Sequence, residues 1–148
     1  MTTEQLTEWP VTAQREVGTL PLSRLRRVTD YIREHLDQDL TLAQLGAVVY
    51  MSPFHFARLF QRSTGLPPHR YVVRARIDHA AEMLAAAEPS IAQISRMVGF
   101  RTPSHFSTVF RRITGVTPHE YRARCRHAAV AARAESVVPR VEGTDGSR

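Results

Sequence analysis

SPFHFARLFQRSTGLPPHRYVVRAR, residues 52–76, and TPSHFSTVFRRITGVTPHEYRARCR, residues 102–126, are two copies of one pattern set 50 residues apart. Twelve of the 25 positions are identical, among them Pro53/Pro103, His55/His105, Phe56/Phe106, Phe60/Phe110, Arg62/Arg112, Thr64/Thr114, Gly65/Gly115, Pro68/Pro118, Tyr71/Tyr121 and Arg76/Arg126. Upstream the register changes to 49, and Leu42-Ala43-Gln44-Leu45 falls on Ile91-Ala92-Gln93-Ile94. The second copy therefore carries one extra residue between the two blocks, and a turn absorbs an insertion that a helix interior would not. Each copy reads as helix, short turn, helix, and a duplicated unit of this kind decides the fold.

Local punctuation marks the helix ends. Thr41-x-x-Gln44 and Ser90-x-x-Gln93 are capping boxes that open the first helix of each copy. Ser52-Pro53 and Thr102-Pro103 each place a hydroxyl at the N-cap and proline at the first helical position of the second helix. Gly65 and Gly115 stop those helices. Thr117-x-x-Glu120 is a third capping box, ahead of a final helix. Leu25, Val28, Ile32 and Leu36 form an i, i+3, i+4 stripe over Leu22–Leu36. A linking helix over 68–87, with Tyr71, Ala75, Ala80, Met83 and Leu84 as its apolar positions, joins the copies. No segment alternates with period two, so the expected fold is all-α: seven helices in two helix-turn-helix subdomains. The expected layout is a leader over 1–23, a body over 24–126 and a weakly ordered tail over 128–148. Within the body the helix-turn-helix units span about 41–65 and 90–115, and the final helix about 118–127.

Composition narrows the partner. The chain has 148 residues, a formal net charge of +6 and no lysine: all 20 basic residues are arginine. Residues 40–126 hold 12 Arg against four acids, whereas the flanks hold 8 Arg against 10 acids. The excess is confined to the repeat, which points to a polyanion, nucleic acid first. Arginine's planar fork suits both phosphate and guanine. Cys125 is the single cysteine and fits a reducing cytoplasm. The N-terminus has no signal-peptide pattern, and no apolar stretch approaches the ~18 residues of a membrane span. No glycine-rich phosphate loop and no paired-cysteine zinc motif occurs. His119, Cys125 and His127 are too few and wrongly spaced for a metal site. The expectation is no cofactor, no metal and no enzymatic activity.

Helical geometry separates the faces of the second helix in each copy. Phe56, Leu59 and Phe60 match Phe106, Val109 and Phe110 as the core stripe. Opposite them lie Phe54, Arg58 and Gln61 in the first copy and Ser104, Thr108 and Arg111 in the second. Ala57 and Ser107 occupy one shoulder; His55 with Arg62, and His105 with Arg112, occupy the other. A helix in a major groove reads bases with its N-terminal outward residues. These are Phe54, Ala57 and Arg58, then Ser104, Ser107 and Thr108. Arg58 is suited to guanine O6/N7 and Phe54 to a thymine methyl. Gln61, Arg62, Arg111 and Arg112, further along, suit the phosphates or flanking contacts, and so do His55 and His105 at the shoulder. Blander readings stand beside these: Phe54 as a core residue, His55 and His105 packed near helix starts, His69 and His119 as capping residues. Arg74, Arg76, Arg124 and Arg126 are open between bracing helices and touching DNA.

Ile94-x-x-x-x-Gly99-Phe100-x-x-x-Ser104-x-Phe106-x-x-x-Phe110-Arg111-x-x-x-Gly115-x-Thr117-Pro118-x-x-Tyr121-Arg122 resembles the signature of the AraC/XylS family of transcriptional regulators. The likeness covers about residues 24–124. It implies seven helices, contacts in adjacent major grooves and recruitment of RNA polymerase at promoters, as for an activator. The linking helix over 68–87, about 30 Å long against ~34 Å for one turn of B-DNA, sets the expected site at about 20 base pairs. Thr102 stands where the family often has Asp, and can still cap. Thr108 stands where it often has Arg, which weakens the base readout expected of the second unit. About 23 residues precede the body, which is similar to the small stand-alone members of the MarA/SoxS type. Those members bind as monomers, here a cytoplasmic protein at the nucleoid. The rival class is an architectural or protein-binding module with little sequence preference, which the seryl and threonyl second unit favours.

Overall fold

The computed structural model describes residues 18–86 and 88–137. Among them are seven α-helices and no strand: α1 (Leu22–Glu34), α2 (Leu42–Val48), α3 (Pro53–Thr64), α4 (Pro68–Ala85), α5 (Ile91–Met97), α6 (Pro103–Thr114) and α7 (Pro118–Glu135). The all-α architecture with two helix-turn-helix units, α2–α3 and α5–α6, is the one expected.

The helix starts are built largely as the sequence specifies. At α2 the Gln44 amide donates to Thr41 Oγ1 (3.2 Å), and the Thr41 amide donates back to Gln44 Oε1 (2.9 Å). The same reciprocal pair closes at Ser90/Gln93 and at Thr117/Glu120. Thr102 Oγ1 accepts from the His105 amide (3.2 Å). Ser52 departs from expectation, because its side chain makes no cap hydrogen bond. It enters α3 at φ −64°, whereas Thr102, preceded by the extra residue Arg101, enters α6 at φ −131°. The different approach turns one hydroxyl onto the helix end and not the other, so Pro53 opens α3 without it.

The shared Thr-Gly ends explain two of the repeat identities. Gly65 and Gly115 adopt left-handed φ of 79° and 85°, which a side chain would strain. Thr64 Oγ1 donates to the Phe60 carbonyl (2.9 Å) and accepts from the Leu66 amide (3.2 Å). Thr114 repeats this with Phe110 (2.8 Å) and Val116 (3.4 Å). One hydroxyl thus ties the last turn to the chain that leaves it.

Two separate apolar cores result. The first gathers Leu20, Val28, Ile32, Leu36, Leu45, Val49, Phe56, Leu59, Phe60 and Val72. The second gathers Ile77, Ala80, Leu84, Ile94, Val98, Phe100, Phe106, Val109 and Phe110. Helix α4 belongs to both, supplying Val72 to one and Ile77, Ala80 and Leu84 to the other. Tyr71 and Tyr121 are partly buried and meet Phe60 and Phe110 edge-on, at 5.1 and 5.5 Å between ring centres. His69 and His119 are exposed.

Four boundaries differ from expectation. Helix α1 ends at Glu34, short of Leu36. Helix α4 ends at Ala85, short of residue 87. Helix α7 runs to Glu135, eight residues beyond 127, so residues 128–135 are helical where a weakly ordered tail was expected. Five alanines between Ala128 and Ala134, with no glycine or proline, favour helix without an apolar stripe to signal it. Residues 138–148 of that tail lie outside the described residues. So do residues 1–17 of the expected leader. Its last part belongs to the body: Leu20 is buried in the first core, and its amide donates to Ser63 Oγ (2.7 Å).

Candidate nucleic-acid interface

The amphipathic pattern of α3 buries Phe56, Leu59 and Phe60 and turns Phe54, Arg58 and Gln61 to solvent. Phe54 is 82% exposed, which rules out the core alternative and leaves a large apolar ring standing free at the start of the helix. Ala57 is half-buried on its shoulder, and His55 and Arg62 are exposed on the other. Helix α6 repeats the arrangement: Phe106, Val109 and Phe110 inside; Ser104, Thr108 and Arg111 outside; Ser107 half-buried; His105 and Arg112 exposed. Every expected site residue therefore lies on the outward face or its shoulders.

The two faces differ in chemistry. Arg58 has its guanidinium in solvent, and no ion pair to it was found among the described residues. Thr108, its counterpart, donates its hydroxyl to the Ser104 carbonyl one turn back (3.0 Å). Its side chain is short and its proton is committed to the backbone, so it offers a base less than Arg58 does. His105 lies edge-on to Phe100 at 5.5 Å, which orients its ring, whereas the repeat holds Met51 where the second copy has Phe100, so His55 has no matching aromatic at that position. Near the end of α6, Arg111 acts on Glu120. That carboxyl is held below the usual range mainly by the hydrogen bond from the Thr117 amide (2.8 Å), then by the Thr117 side chain, with Arg111 and Arg124 adding to it.

One exposed aromatic escaped the helical reading. Tyr50 sits in the α2–α3 turn with φ 59° and is 82% exposed, close in sequence to Phe54. Under the 49-residue shift it falls on Gly99, whose φ is 86°. A tyrosine where the other copy needs glycine was a signal, but a face analysis of helices does not reach turn residues. Among the described residues, no three of His, Cys, Asp and Glu are grouped as a metal site. Nor is any helix there long and apolar enough to cross a membrane.

Two tandem helix-turn-helix units, each presenting the outer face of its second helix beside a common linking helix, define a double helix-turn-helix DNA-binding domain. Residues 45–124, more than half of the chain, match the helix-turn-helix domain family, and the chain belongs to this AraC-type family. It is 39% identical over 78 residues to the regulatory protein PocR of Salmonella typhimurium, covering 53% of this chain and 26% of that protein. It is 34% identical over 73 residues to the probable transcriptional regulator LumQ of Photobacterium leiognathi, covering 49% of this chain and 29% of that one. The matched stretch is thus under a third of the length of these relatives. The fold superposes on the DNA-binding domain of the global transcriptional factor AdpA, solved in complex with a target DNA. That match has a TM-score of 0.66 and 31% identity, and covers 71% of this chain and 95% of that one. The family is one of DNA-binding regulators and not of enzymes.

Proposed function

We propose that this protein is a sequence-specific transcriptional regulator, an activator that binds promoter DNA as a monomer and recruits RNA polymerase. Helices α3 and α6 enter adjacent major grooves. One observation carries the reading: two outward recognition faces are borne on cores that share the single helix α4. At 18 residues, α4 is about 27 Å long, a little less than the ~34 Å of one turn of B-DNA. The site is then asymmetric, about 20 base pairs long, with unlike half-sites. Phe54, Ala57, Arg58, Ser104, Ser107 and Thr108 contact bases; His55, Gln61, Arg62, His105, Arg111 and Arg112 contact the backbone or flanks. Work at promoters places the protein at the nucleoid.

The division of labour between the helices is testable. Arg58→Ala should cost roughly 1–3 kcal/mol on the specific site and relax preference at one base pair. Thr108→Ala should cost less, because its hydroxyl already serves the helix backbone. Quantitative shift titrations that found Thr108→Ala the more damaging would reverse the assignment. The same committed hydroxyl favours the second reading, an architectural binder, which footprinting separates: broad protection supports it, and protection at few sites supports the regulator.

Phosphate contact has its own signature. Arg62→Ala and Arg112→Ala should each weaken binding to every sequence alike. Each should flatten the slope of log K against log salt by about one. Slopes unchanged in both variants would remove these two residues from the phosphate grip.

A further inference from the structure

Arg76 lies where α4 passes from the first core, at Val72, to the second, at Ile77. Its guanidinium is half-buried and bonds in two directions. Nη2 donates to the Gln38 carbonyl (2.7 Å), in the connection between α1 and α2. Nη1 donates to the Gly99 carbonyl (3.2 Å), in the turn between α5 and α6. A single side chain thus joins the α1–α2 connection, which leads into the first helix-turn-helix unit, to the turn inside the second. Burial lowers its pKa, while the field of Asp39 and Asp37 opposes that. Arginine remains a cation in such a setting, so the donor fork persists.

The seam around it has no slack. A Cβ at Gly99 would collide with the Leu36 carbonyl oxygen and lie 2.9 Å from Arg76 Cζ. The turn that leads into α6 therefore rests on Leu36, just past the end of α1, with no side chain between them. Outside this seam Arg101 reaches Asp39 at 3.6 Å, an exposed pair that adds little by itself. The seam is off the axis of α4. It resists a twist of one unit against the other that a single shared helix would permit.

We propose that Arg76 is a positioning residue: by clamping Gln38 to Gly99 it fixes the angle between α3 and α6, and so sets the half-site spacing the protein accepts. The spacing consequence rests on the two-groove reading above; the clamp does not.

The test uses the full chain and a series of sites with one base pair removed, or one or two added, between the half-sites. For the wild type, one spacing should be preferred clearly. Arg76→Gln should lose about tenfold on that spacing and discriminate its neighbours by less than about twofold, because misplaced units lose their effective concentration. Affinity for the isolated first half-site should stay at the wild-type value. Arg76→Lys should recover part of the preference. Gly99→Ala should behave like Arg76→Gln, whereas Gly115→Ala should keep the wild-type profile: it has a similar φ, 85°, but nothing within 4 Å of the added carbon. That pair separates backbone strain from loss of the seam.

A second measurement reads the clamp without DNA. Spin labels at Gln61→Cys and Arg111→Cys, in a Cys125→Ala background, should give a narrow distance distribution that broadens in Arg76→Gln. A distribution left narrow overturns the clamp. So does a loss of affinity that is equal at all spacings and on the isolated half-site. Broadening alongside a wild type indifferent to spacing upholds the clamp and removes the two-groove reading instead.

Discussion

Inserting five base pairs between the half-sites will reduce affinity to that of the first helix-turn-helix unit alone. Five base pairs turn the second half-site by about half a helical turn, to the opposite face of the duplex. Helix α4 has no internal glycine or proline, is built into both cores and is crossed by the Arg76 clamp, so it cannot bend to follow. The second unit must release, and what is lost is avidity, on the order of 10²-fold. Ten inserted base pairs restore the face but add about 34 Å that a rod of about 27 Å cannot span, so affinity should stay low. Titrations with zero, five and ten added base pairs measure this. If five are tolerated while Arg111→Ala and Arg112→Ala still weaken binding, the linker is flexible and the rigid arrangement is wrong.

Phe110→Ala should destabilise the protein by about 3–5 kcal/mol. Phe110 is fully buried, packs against Phe106 at 5.6 Å and Tyr121 at 5.5 Å, and accepts the Thr114 hydroxyl on its carbonyl. Total stability of a small domain is only about 5–15 kcal/mol, so this one cavity removes a large share of it. The two cores are distinct clusters, so the damage should fall first on the second. Hydrogen exchange should show α5 and α6 losing protection while α2 and α3 keep theirs, and urea melts should give the total loss. DNA binding should fall toward that of the first unit. Equal loss of protection in both units would mean that α4 couples the cores into one cooperative body.

The recognition units were legible because their determinants are local. Capping boxes, proline at the first helical position and glycine at the end act within four residues of each other, so Thr41/Gln44, Ser90/Gln93 and Gly115 specify helix ends without reference to the rest of the molecule. Period 3.6 separates Phe56, Leu59 and Phe60 from Phe54, Arg58 and Gln61, because a helix with one apolar stripe must turn it inward. The duplication supplied a second reading of each mark. The same logic has edges. Ser52 has the residue type of a cap and does not act as one, since its approach to the helix is set by the turn before it. The alanine-rich end of α7 has helix propensity but no face, and so left no periodic signal.

Arg76 and Arg126 show where sequence stops. They are the same residue in the same register of the repeat. Arg76 is half-buried and clamps two backbones, while Arg126 is exposed on α7. Their helices part company as well: Ile77, Ala80 and Leu84 on α4 seed a second core, and the matching places on α7 hold His127, Val130 and Ala134, all in solvent. Sequence by itself determined the starts of the seven helices, the glycine-marked ends of α3 and α6 and the outward faces of these two, because each depends on neighbours within a turn or two. Tertiary structure alone decided what Arg76, Gly99 and Leu20 do. Their partners lie 23 to 43 residues away, and a long-range contact exists only once packing has brought its two ends together.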